Sequence, residues 1–112
     1  MRALAARILA LSLIAGPAHA NSGWTFCVAE SGGGRDVWIT GVFPAVRERE
    51  RLEADLKSYL KSRGIFAPVA QCPAPKDDKV DVVNAQFTAA EFHHKLGDTL
   101  HEVFTPEFDP KR

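Results

Sequence analysis

Trp24-Thr25-Phe26-Cys27-Val28-Ala29-Glu30, then Ser31-Gly32-Gly33-Gly34-Arg35-Asp36, then Val37-Trp38-Ile39-Thr40-Gly41-Val42-Phe43 is the stretch that decides how this chain folds. In its first part Trp24, Phe26 and Val28 alternate with Thr25, Cys27 and Ala29, the period of two that marks a strand. Its last part is a second run rich in β-branched and aromatic residues. The glycines between them supply turn chemistry, so the segment predicts a β-hairpin closed by a glycine loop.

Downstream of the hairpin, Pro44 suits the first turn of a helix, where its missing N–H costs nothing, and Gly64 suits the position just past a helix end. Between them Leu52, Leu56, Tyr59 and Leu60 recur at helical spacing and form an apolar stripe. The other face is charged, with Glu53 and Lys57 at i,i+4 and Glu48 and Arg51 at i,i+3. The charged stretch 47–51 is therefore read as a solvated helix face. Residues 65–72 predict a third strand ending at Cys72, and the segment Pro73-Ala74-Pro75 stops it.

Residues 79–84 admit two readings. Val80-Asp81-Val82-Val83 has strand character, yet Val80, Val83, Phe87 and Ala90 fall at helical spacing behind Asp78, a competent N-cap. The helix is favoured, over 79–95 with Gly97 ending it. Residues 99–105 predict a last strand, stopped by Pro106, and residues 106–112 a frayed tail. The order β-β-α-β-α-β implies a small α/β (α+β) two-layer sandwich: a mixed sheet of about four strands, with both helices on one face and right-handed crossovers between parallel strands. The other face would be open, and an open face bearing Trp24 or Trp38 would be a contact surface.

The first twenty residues, MRALAARILALSLIAGPAHA, have the form of a secretory signal peptide. Arg2 and Arg7 supply the positive start, residues 8–15 the apolar run and Ala18-His19-Ala20 the cleavage site. The apolar run is too short to cross about 30 Å of hydrocarbon. This gives a leader at 1–20, one domain at 21–105, a tail at 106–112, and a periplasmic or secreted product with no stable membrane insertion.

Removing the leader leaves 92 of the 112 residues, enough for one core. It removes two of the fourteen basic residues and none of the fourteen acidic ones, so the mature chain carries a net charge of −2. That balance gives no electrostatic reason to bind nucleic acid, where a basic stripe would be expected. Two cysteines in an oxidising compartment predict a Cys27–Cys72 disulfide. Two buried free thiols, or a bond to a partner chain, are the alternatives. No C-x-x-C of a redox enzyme is present.

Phe26-Cys27, Val42-Phe43-Pro44, Tyr59-Leu60 and Gln71-Cys72 together give a pattern that resembles small secreted bacterial proteins with a single disulfide and no assigned activity. The alternation of strands and helices is also broadly similar to the peptidoglycan-binding SPOR modules, although those begin strand-helix-strand. The resemblance implies a fold and transfers no catalytic residue.

Chemistry-bearing residues cluster only near the end. His93, His94 and His101, with Glu91, Asp98 and Glu102 close by, are of the types that hold zinc or copper. Adjacent helical positions such as His93 and His94 point roughly 100° apart, so only a fold-back of His94 and His101 would make a site. Ser31-Gly32-Gly33-Gly34-Arg35 lacks the Lys-Ser/Thr of a P-loop and leads into a strand. Neither Ser31 nor Ser58 sits in a nucleophile elbow, and no fixed separation of Glu102 and Glu107 suggests a glycosidase pair. These absences favour a non-catalytic binding module without cofactor, directed at an envelope or secreted protein through Trp24, Trp38 or the loop carrying Arg35. A small metal-binding protein or hydrolase using His93, His94 and His101 is the competing expectation.

Overall fold

The computed structural model describes residues 23–103; the leader at 1–20 and the tail at 106–112 lie outside them, as do the last two residues of the expected final strand. In chain order the elements are β1 (Trp24–Thr25), β2 (Val28–Glu30), β3 (Asp36–Thr40), β4 (Phe43–Pro44), α1 (Arg49–Ser62), β5 (Val69–Gln71), α2 (Lys79–Lys95) and β6 (Thr99–Val103). The class is the expected small α+β fold. Its main sheet has four strands in the order β5-β2-β3-β6, and β1 and β4 form a two-stranded annex.

The hairpin is present but bulged. Thr25 opposes Phe43 in the annex and Val28 opposes Ile39 in the sheet. Two residues, Phe26 and Cys27, thus span the gap on one arm and three, Thr40, Gly41 and Val42, on the other, which is a β-bulge. Thr40 holds it: its hydroxyl accepts from the Cys27 N–H at 2.9 Å and donates to the Gly41 carbonyl at 2.8 Å. The side chain is fully buried. The extra residue changes which way the following side chains point, so that Val42 joins the core under α2 and Phe43 the core under α1.

The helices lie on opposite faces of the sheet, not together on one, so the layers are α1, sheet, α2. Ala29, Ala70 and Val103 share one sheet face by register and cluster with Leu52, Leu56 and Leu60 of α1. Val28 and Ile39 share the other face and pack with Val82, Ala89 and Ala90 of α2. Strand order is the reason. The β3-to-β5 crossover moves one way along the sheet and the β5-to-β6 crossover moves back, and two crossovers of the same hand in opposite directions must put their helices on opposite faces. The expected parallelism holds: β3 pairs parallel with β6, while β2 runs antiparallel to both β3 and β5.

Both helix ends follow from local sequence. Past α1, Gly64 donates to the Lys61 carbonyl and Ile65 to that of Leu60; past α2, Gly97 donates to His94 and Asp98 to His93. These are paired Schellman bonds, and they require the positive φ that Gly64 (79°) and Gly97 (84°) supply. Asp78 caps α2 by accepting from the Val80 N–H at 2.9 Å. The start of α1 differs from expectation. Pro44 lies in β4 opposite Trp24, and α1 begins at Arg49 behind Glu48, because β4 must first pair with β1. Leu52, Leu56 and Leu60 are each at most 1% exposed, the stripe the spacing anticipates.

On α2 the periodic stripe is the wrong one. Val80, Val83 and Phe87 are 63%, 43% and 65% exposed, and the helix buries Val82 instead. Gln86 lies on the buried side and donates to the Thr40 carbonyl at 2.6 Å, tying α2 to the bulge.

Candidate interaction site

The Cys27–Cys72 disulfide joins neighbouring strands just beyond the Val28–Gln71 pair, closing a separation of 45 residues. Around it the hydrogen bonds fix how β5 presents its outer edge. Thr40 donates to the Cys27 carbonyl and accepts from its N–H, so Cys27 addresses β3. Backbone groups alternate sides along a strand, so Val28 and Glu30 address β5, and Pro68, Ala70 and Cys72 address the open edge. That edge is blunted: Pro68 has no N–H, and the Cys72 N–H donates to the Glu53 carboxylate at 2.9 Å. Glu53 is thereby committed to α1–β5 docking, a role that its helical spacing to Lys57 does not reveal.

Because α2 packs through Val82 and Ala89 against Phe26, Val28 and Ile39, part of the α2 face of the sheet is left uncovered beside it. The result is a cleft of about 800 Å³ that reaches round the β5 edge to the flank of α1. Val28, Val69 and Gln71 line it from the strands, Ala89 and His93 from α2, and Arg49 and Lys57 from α1. Glu30, Glu50 and Glu53 add carboxylates, so both signs of charge meet a partly apolar surface. A second hollow of about 500 Å³, lined mainly by Ile65, Phe66, Ala67 and Pro68, shares Lys57 and Pro68 with the cleft and extends it. Phe66 is 75% exposed there. A Cβ placed on Gly32 would come within 3.2 Å of the Phe66 ring, so the bare glycine lets the loop approach that ring closely.

The three histidines do not converge. His101 shares its sheet face with Trp38 and Asp36; its Nε2 lies 3.0 Å from Asp36 Oδ1, and its ring stacks on Trp38 with centroids 5.0 Å apart. His93 belongs to α2 on the other side of the sheet and pairs through Nδ1 with Asp98 Oδ2 at 2.9 Å. His94 is exposed. Among the described residues no group of three or more His, Cys, Asp or Glu side chains is arranged to hold a metal ion.

Trp24 and Trp38 are likewise packed in the fold, and Arg35 takes part through its backbone. Trp24 exchanges backbone hydrogen bonds with Lys76 and packs in the α2 core, with Lys79 Nζ 4.6 Å from its ring centroid. Trp38 is half-buried against the α1 core. Arg35 is exposed, and its carbonyl accepts from the Thr99 N–H, fastening the loop to the start of β6. Within the loop the N–H groups of Gly34 and Asp36 turn inward to Ser31 Oγ, so they do not form an anion cradle. The uncovered sheet surface thus carries Val28, Val69 and Gln71 in place of the tryptophans. Their exposure depends on strand order, for which no local sequence signal exists.

Together these features define a small disulfide-bonded α+β domain with a side cleft. No protein-family model, no curated protein and no solved structure matches the chain. Among the described residues no helix is long and apolar enough to cross a membrane.

Proposed function

We propose that this chain is a small periplasmic or secreted binding module, and that the cleft beside β5 receives a segment of an envelope or secreted protein. The observation that carries this reading is the uncovered strip of sheet itself, where Val69 is 44% exposed and the surface continues to Phe66. A volume of this order is typical of ligand clefts. Its mixture of apolar floor and charges of both signs suits a polypeptide better than a nucleic acid or a purely apolar ligand. The disulfide and the leader-like start agree with an oxidising compartment.

The test places a photo-crosslinking side chain at Val69, and separately at Glu102 on the opposite sheet edge, in disulfide-intact residues 21–112. Each protein is irradiated in envelope and secreted extract from the producing cells, and the adducts are identified by mass spectrometry. One dominant adduct from position 69 that is missing from position 102 supports the reading. No adduct, or the same products from both positions, overturns it.

A further inference from the structure

The charges around the cleft are not evenly mixed. Glu30, Glu50 and Glu53 line its main part, whereas the hollow that continues it past Phe66 is lined by Lys57 and Lys61 and by no carboxylate. The two lysines stand four apart on α1, so both ammonium groups serve the same side of the helix. Both are exposed, and among the described residues neither makes an ion pair. Glu53, one turn before Lys57, is taken instead by the Cys72 N–H at 2.9 Å. Beside the lysines lies an apolar floor. Ile65 is half-buried against the α1 core, Ala67 is buried, and Phe66 is 75% exposed with its ring close to the bare backbone of Gly32.

We infer that the polypeptide segment received by the cleft is acidic and carries a bulky apolar side chain, which fills the Phe66 hollow while a neighbouring carboxylate pairs with Lys57 and Lys61. The inference rests on the binding-module reading and adds the chemistry of the occupant. Two observations select it. The first is charge complementarity: two unpaired cations beside an apolar hollow of about 500 Å³ match an anion on a chain whose next group is apolar. The second is the strand edge beside the hollow. Pro68 has no N–H and the Cys72 N–H is held by Glu53, so Ala70, which turns its N–H and carbonyl outward, is left to pair with an incoming backbone. That single rung suits an extended polypeptide and offers nothing to an acyl chain or a bilayer surface. The lysines are solvent-exposed, so they select the partner and speed its arrival more than they retain it, and added salt weakens their effect.

The probe is a random decapeptide library displayed on phage and selected against disulfide-intact residues 21–112. Sequences with an acidic residue beside a bulky apolar one are expected to dominate. A synthetic peptide of that consensus should bind about tenfold more weakly to the Lys57→Ala/Lys61→Ala double variant and about tenfold more weakly to Phe66→Ser. Circular dichroism of both variants should match the parent, because all three side chains are exposed. An acidic consensus that binds the lysine variant undiminished overturns the inference. A basic or uncharged consensus whose binding is lost in Val69→Arg overturns the acidic occupant and leaves the cleft as a binding site. No enriched sequence, or peptides indifferent to both Val69→Arg and Phe66→Ser, overturns the inference and the cleft reading together. Binding to phosphatidylglycerol vesicles that Phe66→Ser abolishes would make an anionic lipid surface the occupant and overturn it too.

Discussion

Replacing Thr40 by valine should unlock the bulge on which both cores depend. The substitution keeps the branched shape and removes one oxygen. Cys27 N–H then loses its acceptor at 2.9 Å and the Gly41 carbonyl its donor at 2.8 Å, at a side chain with no exposure to water. A buried polar group left unpaired costs about 1–3 kcal/mol; the buried Cys27 N–H carries most of that cost and the partly buried Gly41 carbonyl adds less, which puts the loss near ~3 kcal/mol. Thr40→Ser is the control, since it keeps the hydroxyl and loses a methyl group, at about 1 kcal/mol. Urea unfolding of the disulfide-intact proteins reads the difference, and in a domain of this size 3 kcal/mol lowers Tm by roughly 12–24 °C. Hydrogen exchange adds a local readout: the Cys27 amide should lose protection in Thr40→Val and keep it in Thr40→Ser. If the valine variant is as stable as the serine variant, the hydroxyl does not hold the bulge.

Three further outcomes follow from the packing. Leu56→Ala empties the centre of the α1 stripe at a fully buried site and should cost about 3 kcal/mol in urea unfolding; a loss below that of an exposed leucine would contradict the placement of α1. Replacing Cys27 and Cys72 together by alanine releases a 45-residue closure and should lower stability by about 4 kcal/mol on loop-entropy grounds, as measured by the unfolding midpoint. Glu53→Ala deprives the Cys72 N–H of its acceptor and should cost about 1 kcal/mol; Glu53→Gln keeps an acceptor oxygen and should recover most of that in the same assay.

What could be read in advance was what is local. The alternation in residues 24–30 sends Trp24, Phe26 and Val28 to one core and Cys27 and Ala29 to the other. Gly64, Gly97 and Asp78 end or begin helices through bonds to residues within a turn of themselves. Strand order and the bulge are different in kind, since both depend on pairings between distant segments. Without knowing that β5 pairs outside β2 and β6 outside β3, the two crossovers have no direction, and a hand rule without a direction cannot assign a face to either helix. The face expected to be open is covered for that reason, with one helix on each side of the sheet, and the cleft beside Val69 has no local signature.

The stripe on α2 shows a second limit, and a use for it. Helical spacing of Val80, Val83, Phe87 and Ala90 says that one side of the helix is apolar, but not what that side packs against. In this fold the sheet takes the neighbouring side instead, because Gln86 must reach the Thr40 carbonyl at the bulge and Val82 must reach Phe26 and Ile39. A chain under no further demand would gain solubility by making positions 80, 83 and 87 polar, as the outer positions of α1 are. Keeping two valines and a phenylalanine there is a local rule broken without gain to the monomer, and such breaks are where function is to be sought. The helical spacing is therefore read correctly as one apolar side and wrongly as the side that the sheet covers, which Val82 and Gln86 take instead.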